Sequence, residues 1–305
     1  MMGQFYIRQV QLLLQLLPIV HQVKNFHLKG GTAINFFIRD IPRLSVDIDL
    51  VYGLVSDRQS TLSEINRGME FIAQTISSRY PACRIQEKRV GGCLVTLFVN
   101  NGSVTVKLEI NTILRGYVFA GEEREVSKAL SGRLGIDLFV TARTLSIADL
   151  YGGKICAALD RQHPRDLFDI KILLEHEGIT DEIRKAFIIY LAGHDRPMSE
   201  LLDPKKMDTR NVFESEFLGM TDYPVQYEEL SNTFDVLLSA LRTGLTSDER
   251  QFLLSIKSGD PVWDLSGVER IEQLPSLRWK LENIRRMPKE KHAMALEKLK
   301  KVLMM

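Results

Sequence analysis

Between residues 44 and 50 the chain alternates without a slip. Leu44, Val46, Ile48 and Leu50 fall on one side, and Ser45, Asp47 and Asp49 on the other. That period of two predicts a half-buried strand whose polar face is acidic. A second such strand is predicted over 103–111, with Val104, Val106, Leu108 and Ile110 opposing Thr105, Lys107 and Glu109. Asn100-Asn101-Gly102 tolerates positive φ and joins it to a strand over 93–99 as a hairpin. Elsewhere the period is helical. Leu62, Ile65, Met69, Ile72 and Ile76 predict a helix over 61–79, and 5–24 predicts one broken or kinked at Pro18. A short helix is expected to open at the turn Gly30-Gly31-Thr32 and run to about Arg39, with Pro42 ending the connection.

From about residue 143 the pattern turns to helices. Ser146-Ile-Ala-Asp149 has capping-box spacing and predicts a helix through Asp160. His163-Pro164 restarts a helix with proline where a missing N–H costs little, and His163 is expected to open that helix rather than to act as a ligand. Further helices are predicted over 181–193, 227–243, 247–257 and 267–301, while Gly, Pro and Asp punctuate 193–224. The expected fold class is α+β: a mixed sheet with flanking helices over 1–142, then a mostly helical domain over 143–305.

Composition changes this picture little. The chain has 305 residues, 45% of them hydrophobic and 26% charged, with a net charge of +1. That suits a soluble globular protein with a large core, and any nucleic-acid surface must be local. Cys83, Cys93 and Cys156 form no CxxC pair, so neither zinc nor a disulfide framework is expected, and a reducing cytoplasm fits. The apolar run Val10–Val20 is short, contains Gln11 and Gln15, and lacks a small-residue cleavage site. It is expected to be a core helix rather than a signal peptide or membrane span.

The acidic strand raises a chemical question, because strands disfavour Asp and neighbouring carboxylates repel. Asp47 and Asp49 stand about 7 Å apart on one face, a spacing that suits Mg²⁺, or Mn²⁺ in its place. Glu109 is the natural third carboxylate, and three acids on neighbouring strands could hold metal ions that serve phosphoryl transfer. Gly30, Gly31 and Thr32 would let backbone N–H groups approach phosphate oxygens, and the Ser45 hydroxyl shares the acidic face. Each feature alone is commonplace: a GG turn, a solvated D-x-D, a solvent-facing Glu. Their order along the chain is what makes them specific. Further on, Lys154 and Arg161 are seven residues apart on one helical face, a point charge and a fork for triphosphate oxygens. Asp166 and Asp169 share a face of the next helix, where the plainer expectation is an Arg165–Asp169 pair and a favourable Asp166 at the helix start.

G-G-T, then twelve residues, then S-x-D-x-D resembles the signature of the DNA-polymerase-β-like nucleotidyltransferase superfamily. The stretch KGGTAINFFIRDIPRLSVDIDL is similar to AbiEii/AbiGii-type nucleotidyltransferases, toxins of toxin–antitoxin and phage-defence systems. DLYGGKICAALDRQHPRDLFDI, over 149–170, resembles that family's later motifs. The resemblance implies NTP as substrate and a divalent metal on Asp47, Asp49 and Glu109. It implies nucleotide contacts from Lys154, with Arg161 and Arg165 beside it. It makes Asp166 or Asp169 a site-arranging group or general base, with the choice between them open. It also implies an RNA acceptor, the tRNA 3′ end first, and a cognate antitoxin. Two departures stand out: Glu109 replaces the more common Asp, and the pattern after Lys154 is looser.

Residues 278–301 carry nine Lys and Arg against three Glu, with Trp279 and His292 nearby. They read either as an RNA-facing surface or as a solvated helix. The rival functions are nucleotidylation of a protein or small molecule, and a silent nucleotide- or antitoxin-binding module.

Overall fold

The computed structural model describes residues 3–134 and 139–304. In chain order the elements of the first part are α1 (Gln4–His21), β1 (Phe26–Lys29), a single α turn α2 (Gly30–Ala33) running into a π turn (Ile34–Ile38), β2 (Asp47–Tyr52), α3 (Arg58–Arg79), β3 (Arg84–Val90), β4 (Cys93–Asn100), β5 (Thr105–Arg115), β6 (Glu122–Glu125), α4 (Lys128–Leu134) and β7 (Thr141–Thr144). The remainder is helical: α5 (Ile147–Arg161), α6 (Pro164–Glu175), α7 (Asp181–Ala192), α8 (Met198–Leu202), α9 (Arg210–Glu216), α10 (Tyr227–Gly244), α11 (Ser247–Ser258), α12 (Pro275–Arg285) and α13 (Lys289–Met304), with two 3₁₀ turns at Trp263–Ser266 and Ile271–Gln273. The α+β reading therefore holds. No helix among the described residues is long and apolar enough to cross a membrane.

The chain divides into two compact units. The first holds Met1–Ser146 together with Leu218–Pro224, and the second holds Ile147–Phe217 and Val225–Met305. In the first unit seven strands form one mixed sheet in the order β3-β4-β5-β2-β1-β7-β6. β2 runs parallel to β5 and antiparallel to β1. Ile48, Leu50, Val106, Leu108 and Ile110 are buried, as their period of two demands, and α1 and α3 pack on each other and on the sheet. Pro18 lies inside α1 without ending it. The segment 218–224 belongs here through backbone bonds: Leu44 N donates to Met220 O (2.6 Å), and Gly3 N donates to Gly219 O (2.8 Å). Thr221 Oγ1 adds a bond to Pro42 O (2.7 Å).

Several elements differ from the sequence expectation. β1, β6 and β7 have four residues each, too few to show a period, and β3 is almost wholly exposed, so it carries no apolar face. The helix expected over 267–301 is broken into a 3₁₀ turn, α12 and α13. Pro275 opens α12 and Pro288 directly precedes α13, and proline ends helices more readily than it continues them.

The second unit is built around α5, which packs chiefly on α7 and then on α6. Gly152 makes that closeness possible: a Cβ there would lie 2.8 Å from Phe187 N and from the Ala186 Cβ. The adjacent Gly153 faces open space, with nothing within 4 Å of an added Cβ. The two glycines should therefore answer alanine with opposite signs. Gly153→Ala should stabilise by about 0.5–1 kcal/mol, the ordinary gain in a helix interior. Gly152→Ala should destabilise by about 1–3 kcal/mol through overpacking against backbone. Urea denaturation of both variants checks this, and a neutral Gly152→Ala would contradict the tight α5–α7 contact.

Candidate active site

In the first unit the acidic positions fall into a two-by-two array. The parallel register sets Asp47 opposite Lys107 and Asp49 opposite Glu109, all four on one face of adjacent strands. Neighbouring strands lie about 4.8 Å apart, so three carboxylates and one ammonium share a small area. Lys107 Nζ pairs with the Glu109 carboxylate on its own strand. Burial works against the Lys107 charge, but Glu109, with Asp49 and Asp47 behind it, holds its pKa above the ordinary lysine value. Thr96 Oγ1, on β4, donates to the other Glu109 oxygen (3.2 Å). Among the described residues no three Asp, Glu, His or Cys side chains converge as a metal cluster. The Glu109 carboxylate is engaged by Lys107 and Thr96. The donor chemistry itself, three carboxylates on one sheet face, suits a hard divalent cation.

The glycine turn abuts the same face. Gly30 has φ +71°, and a Cβ there would lie 2.8 Å from Asp49 Oδ2, so only glycine leaves that carboxylate its place. A Cβ on Gly31 would lie 2.6 Å from an Arg43 guanidinium nitrogen and 3.0 Å from the Ser45 hydroxyl. Thr32 Oγ1 lies 2.9 Å from Ser45 Oγ and 2.5 Å from Asp47 O, and both side chains are buried. Thr32 and Ser45 thus lock the turn onto the aspartate strand. The link from turn to strand is strained: Ile41, fully buried and β-branched, has φ +54°. Its N–H donates to Asn35 O (3.1 Å), and Asn35 Nδ2 donates to Gly31 O (2.9 Å).

Lys154, Asp166 and Asp169 lie in the second unit and form one buried cluster. Lys154, only 6% exposed, donates to Asp166 Oδ1 (2.9 Å) and lies 3.0 Å from Asp169 Oδ2. Arg161 forks onto Asp166 through Nε (2.6 Å) and Nη2 (3.1 Å), yet its own side chain is 62% exposed. Burial opposes ionisation of Asp166, but Lys154 and Arg161 outweigh it and hold the carboxyl well below the usual carboxylate range. Asp169 is thus paired with Lys154, while Arg165 meets Glu216 (3.5 Å). His163 opens α6: its Nδ1 accepts from Arg165 N (3.1 Å), which leaves Nε2 to meet Glu216 (3.1 Å). Lys107, Arg43 and Thr96 are the site neighbours that sequence reasoning missed. Lys107 stood two residues before Glu109 on the same polar face, which was a usable signal; Arg43 and Thr96 had none.

The family profile described as nucleotidyl transferase AbiEii toxin, type IV toxin–antitoxin system, matches residues 11–283. Among solved structures the chain is similar to MenT4, a nucleotidyltransferase toxin from Mycobacterium tuberculosis H37Rv. The identity is 15% and the TM-score 0.63, over 92% of this chain and 93% of that one. At that identity the likeness is one of fold. Terminal uridylyl transferase 4 from Trypanosoma brucei with bound dUTP aligns over 97% of this chain and 92% of that one, at 12% identity and a TM-score of 0.31, which supports no comparison. No curated protein matches the chain.

The buried cluster gives a pH-dependent expectation. Because Asp166 titrates below its ordinary range in the folded chain, its stabilisation is complete above that range and is lost as pH falls through it. Asp166→Asn should cost about 3–5 kcal/mol at pH 7, since it leaves Lys154 and Arg161 short of a charge. The difference from wild type should narrow as pH drops toward about 3. Urea melts at a series of pH values test it; a pH-independent difference would show that the ionised pair is not what stabilises this corner.

Proposed function

We propose that this chain, which belongs to the AbiEii family of nucleotidyl transferase toxins, transfers a nucleoside monophosphate from an NTP to a hydroxyl at the tRNA 3′ end. The acceptor hydroxyl gives up its proton to solvent as its oxygen bonds to the α-phosphorus, the bond from that phosphorus to the pyrophosphate oxygen breaks, and pyrophosphate leaves. The observation that carries this reading is the register that sets Asp49 opposite Glu109 with Asp47 on the same face.

Asp47, Asp49 and Glu109 are the proposed holders of Mg²⁺, or Mn²⁺ in its place. When bound, that cation would supply Lewis-acid stabilisation of charge on the phosphoryl oxygens. The chain's own residues do the rest. Gly30 keeps Asp49 in place, and the Gly30-Gly31-Thr32 turn offers backbone N–H groups to phosphate, while Ser45 and Thr32 hold that turn to the strand. Lys107 balances the acids and is a candidate partner for phosphate oxygens. In the second unit the Lys154–Asp166–Asp169 cluster acts as a positioning group, and the exposed face of Arg161, with Arg165, meets the nucleotide. Extension of the tRNA 3′ end would block charging and arrest growth, which suits a toxin used in phage defence. A cognate antitoxin is proposed on the family description alone.

The test is transfer from each of four α-³²P-labelled NTPs with Mg²⁺ and total tRNA. Wild type should label tRNA and chelation should stop it. Asp49→Asn should lose at least about a hundredfold in rate, the scale of removing one group that stabilises transition-state charge. Label entering protein or a small molecule instead would move the acceptor, and full activity in Asp49→Asn would overturn the site. Gly30→Ala should fold, at a cost of about 1–2 kcal/mol for its left-handed backbone. It should also slow transfer about tenfold or more by displacing Asp49.

A further inference from the structure

The helical unit contains a cavity of about 360 Å³ bordered by α11, α12 and the loop after α7, and Lys257, Trp279, Lys280 and Asn283 are among its lining residues. Its two lysines are not equivalent. Lys280 Nζ donates to the carbonyls of His194 (2.5 Å) and Arg196 (3.0 Å), so it ties α12 to the end of α7. Its pKa is pushed down to about 8, by burial first and by Lys257 second. Lys257 is only 8% exposed, and among the described residues no carboxylate or hydrogen-bond acceptor meets its ammonium. Burial, and then Lys291, lower its pKa. Its place in the last turn of α11 gives it some support from the helix dipole. That does not supply a counter-charge; the aliphatic stem of Lys257 is buried while its ammonium keeps contact with solvent on the cavity side. The acid on the cavity wall, Asp195, acts on Lys280.

Trp279 lines the same cavity with 51% of its surface exposed, although Trp is ordinarily well buried. An ammonium with no counter-ion among the described residues and a half-open indole lining one cavity match the two halves of a nucleotide, phosphate and base. The rest of the lining is largely apolar and would exclude water from that contact.

We infer that this cavity binds one nucleotide of the acceptor RNA, with its phosphate on Lys257 and its base stacked on Trp279. The inference rests on the RNA-directed reading above and gives that acceptor a second foothold, in the helical unit. It also divides the basic stretch 278–301 into parts with different work. Trp279 takes the base, Lys280 braces α7, and His292 Nε2 lies 2.7 Å from Lys257 O at the end of α11.

The test uses the full chain carrying Trp263→Phe, which leaves Trp279 as its one indole. The probes are a fluorescein-labelled single-stranded RNA hexamer, AMP and inorganic phosphate, each titrated over a range of salt. RNA should quench Trp279. Lys257→Met should weaken RNA binding about tenfold and reduce the salt slope by about 0.7, the share of one phosphate contact on a single strand. Its thermal midpoint should hold, because methionine keeps the buried stem and the ammonium makes no hydrogen bond or ion pair to lose among the described residues; a structural lysine would give a lowered midpoint. Trp279→Ala should also weaken RNA binding about tenfold, with the salt slope unchanged.

Unchanged RNA affinity in both variants would overturn the inference, and if wild type still labels tRNA the enzymatic reading stands without it. Quenching by AMP with no RNA binding would also overturn it, making this a free-nucleotide site. RNA binding lost in both variants, in a chain whose wild type labels only protein, would support the site and refute the tRNA acceptor.

Discussion

Parallel register puts three carboxylates on one face of two neighbouring strands, and several nearby side chains answer that crowding of like charge. Parallel pairing of β2 and β5 makes it unavoidable, because register alone sets Asp49 opposite Glu109. The remedies are local. Lys107 brings a positive charge into the array from two residues away on β5, and Thr96 donates from β4. Gly30 leaves room for a carboxylate oxygen where any side chain would intrude. A sheet designed for stability alone would carry none of this. Placing like charges together and then countering them is a local departure from stability of the kind that clusters at functional sites.

The second unit treats charge in the reverse way. Lys154, Asp166 and Asp169 are buried, and their charges are met within the cluster. Arg161, which forks onto Asp166 from outside, keeps most of its side chain in solvent. A cluster so internally paired contributes geometry more than free charge. It fixes the end of α5 against the start of α6, and so fixes where the Arg161 fork stands. The R-D-x-x-D spacing is explained by one lysine reaching two carboxylates three residues apart, which share a helical face.

Much of this was legible in the sequence, for identifiable reasons. β2 and β5 alternate cleanly because one face of each is buried and the other is not, so their period survives in the text of the chain. The D-x-D and Glu109 positions follow from that period, and the GG positions from the turn that opens a helix. β1, β6 and β7 are too short to carry a period, and exposed β3 has no face to reveal. The π turn at 34–38 was invisible, since helical spacing does not distinguish a π turn from an α turn. Side-chain partners were the least readable. The i,i+4 spacing of Arg165 and Asp169 gave no sign that Asp169 meets Lys154, a residue on another helix. Propensity and spacing act along the chain, whereas that contact is made by burial across it.

The segment 218–224 has a temporal meaning. It ties the backbone at Pro42 and Leu44, the strained approach to the aspartate strand, yet it lies about 175 residues further along the chain. Chains emerge from the ribosome N-terminus first. A nascent polypeptide therefore displays both aspartates, the glycine turn and the whole sheet long before the strap that steadies them exists. The bonds that join 218–224 to Pro42 and Leu44 form only after that segment has been made.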